Sequence, residues 1–260
     1  VILVFLLARL ILEFRFGALL AGLLFACHPA LTEAVDSIAF NEDLLAAFFF
    51  LLAFYIYVAK LARNFSAGAY SLSLLFYLCG LLSKEMAITL PAIICLYDMT
   101  FSSDSEQKPN VRHAAETVIK RWPVYLGYAL ISFIYLVLRF FVITKAGDGG
   151  QILYGTFFER LIYLPHHIFS FVKLAIFPYE LKVAHVFAYP PHFFNAANLM
   201  GFTATIGLAV ASFFLFRNYK GLFFGIWWFL ISLLPVSNLI QIFNPFADRY
   251  LYIPVIGFCL

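Results

Sequence analysis

The stretch HPALTEAVDSIAFNED, residues 28–43, joins two apolar runs at 16–27 and 44–59. It brings four carboxylates and one histidine to the point where one apolar helix ends and the next begins. Acidic groups close to hydrocarbon are costly, and small polar turn residues could link two helices without that cost. The sequence therefore indicates that residues 28–43, which we call the acidic loop, bind a ligand or take part in a reaction.

The composition is that of an integral membrane protein. Of the 260 residues, 64% are hydrophobic and only 12% are charged, and the mean hydropathy is +0.93. A soluble domain has about a quarter of its residues charged, so the composition excludes an ordinary soluble domain. The bilayer is an expected partner, and a net charge of +3 gives no reason to expect a nucleic acid.

Apolar segments of helical length recur along the whole chain. A membrane-spanning helix needs about 20 apolar residues. The candidate segments are 1–12, 16–31, 43–59, 70–83, 86–99, 123–143, 199–216, 222–240 and 250–260. No alternation of period two supports a barrel, so we expect an all-α, polytopic transmembrane helix bundle that forms a single multi-pass membrane domain over residues 1–260. Both ends lie inside apolar segments, so we expect a fragment that is truncated at both ends.

The distribution of Lys and Arg predicts the orientation, because cytoplasmic loops are enriched in both. One side carries Arg9, Arg15, Lys60, Arg63, Lys108, Arg112, Lys120, Arg121, Arg217 and Lys220. We expect this side to be cytoplasmic, with a cytosolic loop at 100–122. The opposite side, periplasmic or lumenal, would hold the acidic loop, two charged turns and an outer-face region at 144–198. The membrane would be a bacterial inner membrane or the endoplasmic reticulum.

The segment 157–177 cannot be a simple span in this topology, because the basic residues that follow it would then face outward. Its polar residues recur every three or four positions and form a stripe on an apolar helix. They are Arg160, Tyr163, His167, Ser170 and Lys173. This pattern favours an interfacial or re-entrant helix on the outer side. A spanning helix that lines a wet cavity is the alternative.

Several common sources of chemistry lack support in the sequence. The cysteines at 27, 79, 95 and 259 lie in apolar runs without metal-ligand spacing, and we expect them to be buried. The histidines at 166, 167, 185 and 192 also lack convincing metal spacing and are expected at the interface. No P-loop and no G-x-S-x-G motif is present, which argues against a nucleotide-driven pump and a serine hydrolase. No metal site is assigned, although a divalent metal stays an open option.

The acidic loop supplies three candidate catalytic residues, Glu33, Asp43 and His28, with Asp36 and Glu42 in support. Carboxylates can act as general bases, metal ligands or hydroxyl-binding groups. The alternative is helix capping, since acids stabilise a helix N-terminus. Capping would account for one or two of the acids, but not for four acids together with a histidine.

Three cations are candidates for binding a phosphate. Lys84, with Glu85 in support, lies in a turn between two apolar runs, and Arg139 lies near the outer end of another helix. A snorkelling side chain is the alternative interpretation for both cations. The guanidinium of Arg139 is well shaped for a phosphate. Arg249, with Asp248 in support, opens the last apolar segment, where a local ion pair and cap is the equal alternative.

These motifs follow one another in a specific order. They are His28-Pro29-x-x-Thr32-Glu33-Ala34-Val35, Asp43-Leu44-Leu45-Ala46, Ser83-Lys84-Glu85 with Thr89-Leu90-Pro91 and Asp98, and Ala247-Asp248-Arg249-Tyr250-Leu251-Tyr252-Ile253-Pro254. Over nearly the whole chain they resemble the membrane domain of the transmembrane and tetratricopeptide-repeat O-mannosyltransferases of the endoplasmic reticulum, and of their bacterial relatives. That family belongs to the GT-C class of multi-pass glycosyltransferases.

The resemblance implies a glycosyltransferase of the hexosyltransferase type. It would transfer a sugar, with mannose as one option, from a polyprenyl- or dolichyl-phosphate donor to a protein or glycan on the lumenal or periplasmic face. Glu33 matches the Glu of the His-Pro motif, and Asp43 matches a second acidic position of related enzymes. The principal catalytic acid is then expected upstream of Val1. Asn41 departs from the family, because relatives often have Arg there.

Two other functions remain open from the sequence. A transporter or flippase of an anionic lipid would also bring charges to membrane depth, although no inverted halves are visible. A non-catalytic membrane scaffold is the other alternative.

Overall fold

The computed structural model describes residues 1–12, 14–101, 111–143, 156–179, 181–182, 195–216, 218–240, 242 and 244–260. The α-helices among these residues are α1 (Ile2–Ile11), α2 (Arg15–Cys27), α3 (Thr32–Asp36), α4 (Asn41–Ile56), α5 (Ala67–Ser83), α6 (Leu90–Phe101), α7 (Val111–Lys120), α8 (Trp122–Leu138), α9 (Phe157–Ile176), α10 (Ala196–Leu215), α11 (Lys220–Ser232) and α12 (Pro254–Cys259). Short 3-10 turns connect several of them, and π-helical segments extend α4 and α8. The predicted all-α class is confirmed for the described residues.

Three helical stretches are long and apolar enough to cross a membrane. They are Ile38–Leu61, Trp122–Phe141 and Asn198–Leu215. α2 and the segment Pro29–Asp36 pass the same test as a pair, with a bend of 55° between them. The other predicted spans correspond to shorter helices in the described part of the chain. The helices support a membrane protein, and the number of passes and the orientation remain predictions.

α4 and α5 form an antiparallel pair that decides which ends of the helices meet. Gly80 on α5 allows a close approach, since a Cβ there would lie 3.2 Å from the Cβ of Ala87 and 3.6 Å from the carbonyl oxygen of Ala46. α5 returns the chain to the beginning of α4. Lys84, which follows α5, therefore comes within 2.5 Å of Asp43 in the first turn of α4.

Buried hydroxyl groups join α5 to its neighbours. The Ser73 hydroxyl donates to the carbonyl of Ala53 on α4 at 2.8 Å and lies 2.7 Å from the hydroxyl of Tyr128 on α8. One turn further along α5, the Tyr77 hydroxyl lies 2.6 Å from that of Ser132. Buried polar groups need such partners, so these contacts fix how α8 packs against the α4–α5 pair.

An aromatic cluster connects α4 to the C-terminal helices. The Trp228 ring on α11 lies 5.2 Å from the ring of Phe54, and its Nε1 donates to the carbonyl of Ile253 at 2.9 Å. α11 and α12 meet at Gly225 and Gly257, where a side chain on either residue would clash with the carbonyl of the other. This contact holds the turn that precedes α12 against the rest of the bundle.

A set of charged and polar side chains around Asp98 lies at the far end of α4. The Asp98 carboxylate is 0% exposed and lies 3.2 Å from Nη1 of Arg121. The hydroxyls of Tyr57 and Tyr125 also donate to it, the latter at 2.6 Å. Fourteen residues of helix separate Tyr57 from Asp43, which corresponds to about 21 Å at the helical rise. This group is thus an internal anchor that is well separated from the acidic loop.

α9 occupies the segment that was expected to be interfacial or re-entrant, and its first turn is capped by the side chain of Thr156. The predicted polar stripe is not uniform, because Lys173 is exposed whereas His167 is buried. His167 Nε2 lies 3.2 Å from the carbonyl oxygen of Val236. His167 therefore faces the protein interior, and the interfacial position of this segment stays a prediction. Burial lowers the pKa of His167 to about 4, so the ring is neutral.

The cysteines also differ in part from expectation. Cys259 is buried and Cys79 and Cys95 are half-buried, but Cys27 is exposed at the end of α2. The prediction of burial is wrong for Cys27. Some predicted features lie outside the described residues, namely His185, His192, Arg217, Lys108 and parts of the segments 100–122 and 144–198.

Replacing Asp98, the buried carboxylate that pairs with Arg121, should destabilise the fold. In Asp98→Ala, Arg121 and two tyrosine hydroxyls lose their shared partner, at an expected cost of about 3–5 kcal/mol. Thermal unfolding of the purified protein in detergent measures this as a lowered Tm. The exposed pair Arg112–Glu116, at 3.4 Å, supplies the control: Arg112→Ala should cost less than about 0.5 kcal/mol. Equal losses in the two variants would contradict the anchor.

Candidate functional site

The acidic loop folds into short helical turns between α2 and α4. Pro29 begins a 3-10 turn directly after α2, α3 follows, and a second 3-10 turn, Ile38–Phe40, leads into α4. Glu33 lies in α3, while Glu42 and Asp43 lie in the first turn of α4, where acids stabilise the helix N-terminus. The loop therefore presents acids from two separate turns.

His28 connects the loop to the end of α9. Its Nε2 lies 2.9 Å from the carbonyl oxygen of Ala175, and its Nδ1 accepts from the backbone N–H of Ala30 at 3.3 Å. Because Nδ1 accepts, the proton belongs on Nε2, which donates to the carbonyl. Both ring nitrogens are thus engaged with the backbone. This geometry fits a role in positioning, and the catalytic role of His28 remains a prediction.

Glu33 pairs with Arg249 from the opposite end of the chain. Arg249 Nη1 lies 2.5 Å from Glu33 Oε1, and the backbone N–H of Arg249 donates to Oε2 at 2.9 Å. The Glu33 side chain retains 7% of its exposure and the Arg249 side chain 12%. Both carboxylate oxygens of Glu33 are therefore occupied by one residue, which holds the acidic loop against the 3-10 turn Asp248–Leu251.

Asp43 lies between Lys84 and Arg249, two of the three cations that the sequence indicates as phosphate ligands. Its Oδ2 is 2.5 Å from Lys84 Nζ and 3.9 Å from Arg249 Nε. Lys84 Nζ is also 3.6 Å from Glu42. The Asp43 side chain is 2% exposed, so these charges interact in a largely dehydrated setting. We call Glu33, Glu42, Asp43, Lys84 and Arg249 the charge cluster.

Two rings contact the cations of the charge cluster. The Tyr250 ring centroid lies 5.6 Å from Lys84 Nζ and 5.1 Å from Arg249 Cζ, and the Phe40 ring lies 4.0 Å from Arg249 Cζ. The Tyr250 hydroxyl donates to the carbonyl of Asn244 at 3.0 Å, which fixes the ring. These distances are within the range of cation–π attraction.

Arg139 and Glu85 form a neighbouring pair rather than part of the charge cluster. Arg139 Nη2 lies 3.5 Å from Glu85 Oε2, and Nη1 donates to the Tyr135 hydroxyl at 3.3 Å. Glu85 directly follows Lys84 in sequence, so the pair lies next to the cluster. The Arg139 side chain is 40% exposed, which leaves it accessible to a ligand.

Asp248 and Asp36, the two remaining residues that the sequence indicates in a supporting role, differ in burial. Asp248 is buried, and its Oδ2 accepts from the backbone N–H of Lys182 at 3.0 Å, which ties a further segment to the turn that carries Arg249. Asp36 ends α3 and is exposed. Asp248 thus supports the geometry of the site, while Asp36 lies at its edge.

The charge cluster contains three carboxylates and two cations, so its formal charge is −1 when all five groups are ionised. Lys84 keeps donor capacity beyond its bond to Asp43, because an ammonium has three protons. Arg249 Nε is buried and has no hydrogen-bond partner among the described residues. The cluster can therefore accept protons at its carboxylates and donate hydrogen bonds to an added anion.

No metal ligand set is apparent in the described part of the chain. It contains no group of three or more His, Cys, Asp or Glu side chains arranged to hold a metal ion. The divalent metal that the sequence left open thus gains no support from these residues.

Sequence reasoning missed two contributors to the site, Phe40 and Tyr250. The ring of Phe40 contacts Arg249. Nothing in the sequence indicates this contact, because aromatic residues are common throughout the chain. Tyr250 belonged to a quoted motif, but nothing in the sequence indicated that its ring would contact both cations. Asp98, which belongs to a quoted motif, lies outside the site in the anchor with Arg121; a lone acid in an apolar run is unusual unless the acid is paired.

The helical bundle and its cluster of charges at helix ends define a membrane protein with a polar site at the boundary of its apolar helices. Comparison with curated proteins gives relatives named protein O-mannosyl-transferase. Tmtc1 of Drosophila melanogaster is 42% identical over 97 residues, which cover 37% of this chain and 11% of that protein. Tmtc3 of Drosophila melanogaster is 26% identical over 290 residues (94% and 31%), and TMTC3 of Mus musculus is 27% identical over 281 residues (97% and 30%).

These relatives confirm the resemblance to the transmembrane and tetratricopeptide-repeat O-mannosyltransferases that the motifs indicated. The chain spans between 11% and 31% of the length of these three relatives. No family model matches the chain, and no solved structure matches it.

Removing the carboxylate of Glu33 should loosen the contact between the acidic loop and the 3-10 turn. Glu33→Ala removes the closer of the two carboxylates that pair with the poorly exposed Arg249, and the expected loss is about 3 kcal/mol. A thermal unfolding measurement in detergent tests this, with Asp36→Ala as the control because Asp36 is exposed in the same loop. Tm values that fall equally little in both variants would show that the pair does not hold the loop.

Proposed function

We propose that this chain forms part of a membrane glycosyltransferase of the GT-C type. It would transfer mannose from a polyprenyl- or dolichyl-phosphate donor to a protein hydroxyl on the lumenal or periplasmic face. The observation that carries the proposal is the charge cluster, in which groups from the acidic loop, the turn after α5 and the turn before α12 meet within hydrogen-bonding or ion-pairing distance. The names of the curated relatives support the same reaction class.

The chemistry of the transfer needs three elements. The acceptor oxygen attacks the anomeric carbon of the sugar, the bond between that carbon and the phosphate oxygen breaks, and the acceptor proton passes to a base. The lipid phosphate departs with the electron pair of the broken bond. A base, cations that stabilise the departing phosphate and a groove for the lipid are therefore required.

Lys84 and Arg249 are the best candidates for holding the phosphate. Both cations have donors that the charge cluster leaves unused, and Arg249 Nε is buried where a new hydrogen bond would be strong. Arg139 pairs with Glu85, which follows Lys84 in the sequence, and it is exposed enough to reach the same anion. A phosphate at Lys84 would compete with Asp43 for the ammonium, so donor binding would free that carboxylate.

Asp43 and Glu33 would have different roles. Asp43, once released from Lys84, can orient the acceptor hydroxyl or assist the base that takes its proton. Glu33 has both oxygens bound to Arg249 and would position that cation. His28 would hold the loop in register with α9 through its bond to Ala175.

An apolar groove whose lining includes Leu44 and Tyr252 can take the lipid of the donor. It has a volume of about 340 Å³ and lies between α1, α2 and α4. The residues that line it are Val1, Ile2, Leu3, Phe25, Leu44, Ala47, Phe48, Leu51 and Tyr252. Leu44 directly follows Asp43, so an apolar chain in this groove would bring its phosphate end close to the charge cluster.

Substitution of the cluster should reduce transfer with a different kinetic signature for each residue. Asp43→Asn should lower kcat about 100-fold or more, because a group that assists proton transfer is lost. Lys84→Met should lower kcat/KM for the donor about 10- to 100-fold, since a hydrogen bond to a charged group contributes about 1.5–3 kcal/mol. The assay is incorporation of radiolabelled mannose from dolichyl-phosphate mannose into protein, using the complete protein in membranes.

The control for this experiment is Glu116→Gln on α7, far along the chain from the cluster, which should leave transfer unchanged. If both cluster variants transferred mannose at the wild-type rate, the site assignment would be wrong. Movement of dolichyl-phosphate mannose across vesicles without any transfer to protein would favour the flippase alternative instead.

A further inference from the structure

Phe40 has a position that the proposed reaction does not explain. It is the last residue of the 3-10 turn Ile38–Phe40, and its backbone N–H donates to the carbonyl of Ser37 at 3.1 Å. It is half-buried and lies outside the apolar core of the described bundle. This large aromatic side chain, in the acidic loop directly before α4, therefore contributes little to core packing.

The ring of Phe40 instead contacts a cation of the charge cluster. Its centroid lies 4.0 Å from Cζ of Arg249, which is closer than the 5.1 Å between Arg249 Cζ and the Tyr250 ring. Glu33 takes up Nη1 of the same guanidinium. Two rings and one carboxylate thus restrict the orientation of the group.

This restriction affects a specific atom. Arg249 Nε is buried, lies 3.9 Å from Oδ2 of Asp43 and has no hydrogen-bond partner among the described residues. A long arginine side chain has many rotamers and would normally turn such a donor toward water. The Phe40 ring packs on the guanidinium in the orientation that places Nε 3.9 Å from Asp43, and the attraction is stronger because the side chain is only 12% exposed.

We propose that Phe40 is a positioning residue that orients the guanidinium of Arg249, so that Nε points at Asp43 and at the phosphate that binds beside it. This inference rests on the proposed function. Phe40 would not touch the sugar or the phosphate. It would act through Arg249 and mainly improve interactions with the departing phosphate.

The first test compares variants at position 40 in the mannose-incorporation assay with the complete protein. Phe40→Leu keeps an apolar side chain but removes the ring, and kcat/KM for the donor should fall about tenfold, the equivalent of one cation–π contact. Phe40→Tyr retains the ring and should recover most of the activity. Ile38→Leu is the matched control, because Ile38 lies in the same turn and is 87% exposed. Equal activity of Phe40→Leu and wild type would overturn the proposal.

The second test measures coupling without relying on sugar transfer. Tm values in detergent are determined for wild type, Phe40→Leu, Arg249→Met and the double variant. If the ring acts through the guanidinium, Phe40→Leu should lower Tm clearly in the wild-type background and much less once Arg249 is replaced. Additive losses would contradict a direct contact between the two side chains.

The two tests separate the failure of this inference from the failure of the proposed function. Absence of mannose transfer by the wild-type protein would refute the function, whereas the stability cycle would still decide whether Phe40 orients Arg249. Transfer by the wild type together with additive Tm losses would refute the role of Phe40 alone.

Discussion

The ion pair between Glu33 and Arg249 is the contact on which the candidate site depends. It joins two residues 216 positions apart and uses both oxygens of one carboxylate, with one bond to the guanidinium and one to the backbone. The contacts of Phe40 and Asp43 with Arg249 join the same two parts of the chain, at longer distances. Without this pair, Arg249 would lose its closest carboxylate, and the charge cluster would hold one of its two cations less firmly.

Burial of several charges at one place is costly. Pairing of opposite charges and contacts with aromatic rings offset this cost in the charge cluster. Each cation in the cluster faces a carboxylate at short distance, and aromatic rings lie within cation–π range of Arg249 and Lys84. Replacing such groups by apolar residues would often stabilise a fold. Retention of the charges is therefore better explained by a requirement of the site than by stability. The Asp98 anchor, with four satisfied groups, serves stability instead.

The sequence predicted the helical class, and the motif order indicated the relatives. It also singled out all five members of the charge cluster, because acids and bases between apolar runs stand out by composition alone. It could not predict how they pair, since the contact of Lys84 with Asp43 follows from the close packing at Gly80, and that of Glu33 with Arg249 from tertiary packing. Phe40 was missed for the same reason: an aromatic residue acquires its role only from the cation that packs against it. The burial of His167 likewise depends on contacts from elements distant in sequence.

The central claim is that Lys84 and Arg249 together form a binding site for a lipid phosphate. The most direct measurement is the dissociation constant of a polyprenyl monophosphate for the purified protein, in wild type and in Lys84→Met, with Tm used to confirm that both are folded. The account predicts an affinity that falls about 10- to 100-fold in the variant, because a charge-assisted hydrogen bond to the phosphate is lost. An unchanged dissociation constant in a folded variant would contradict it.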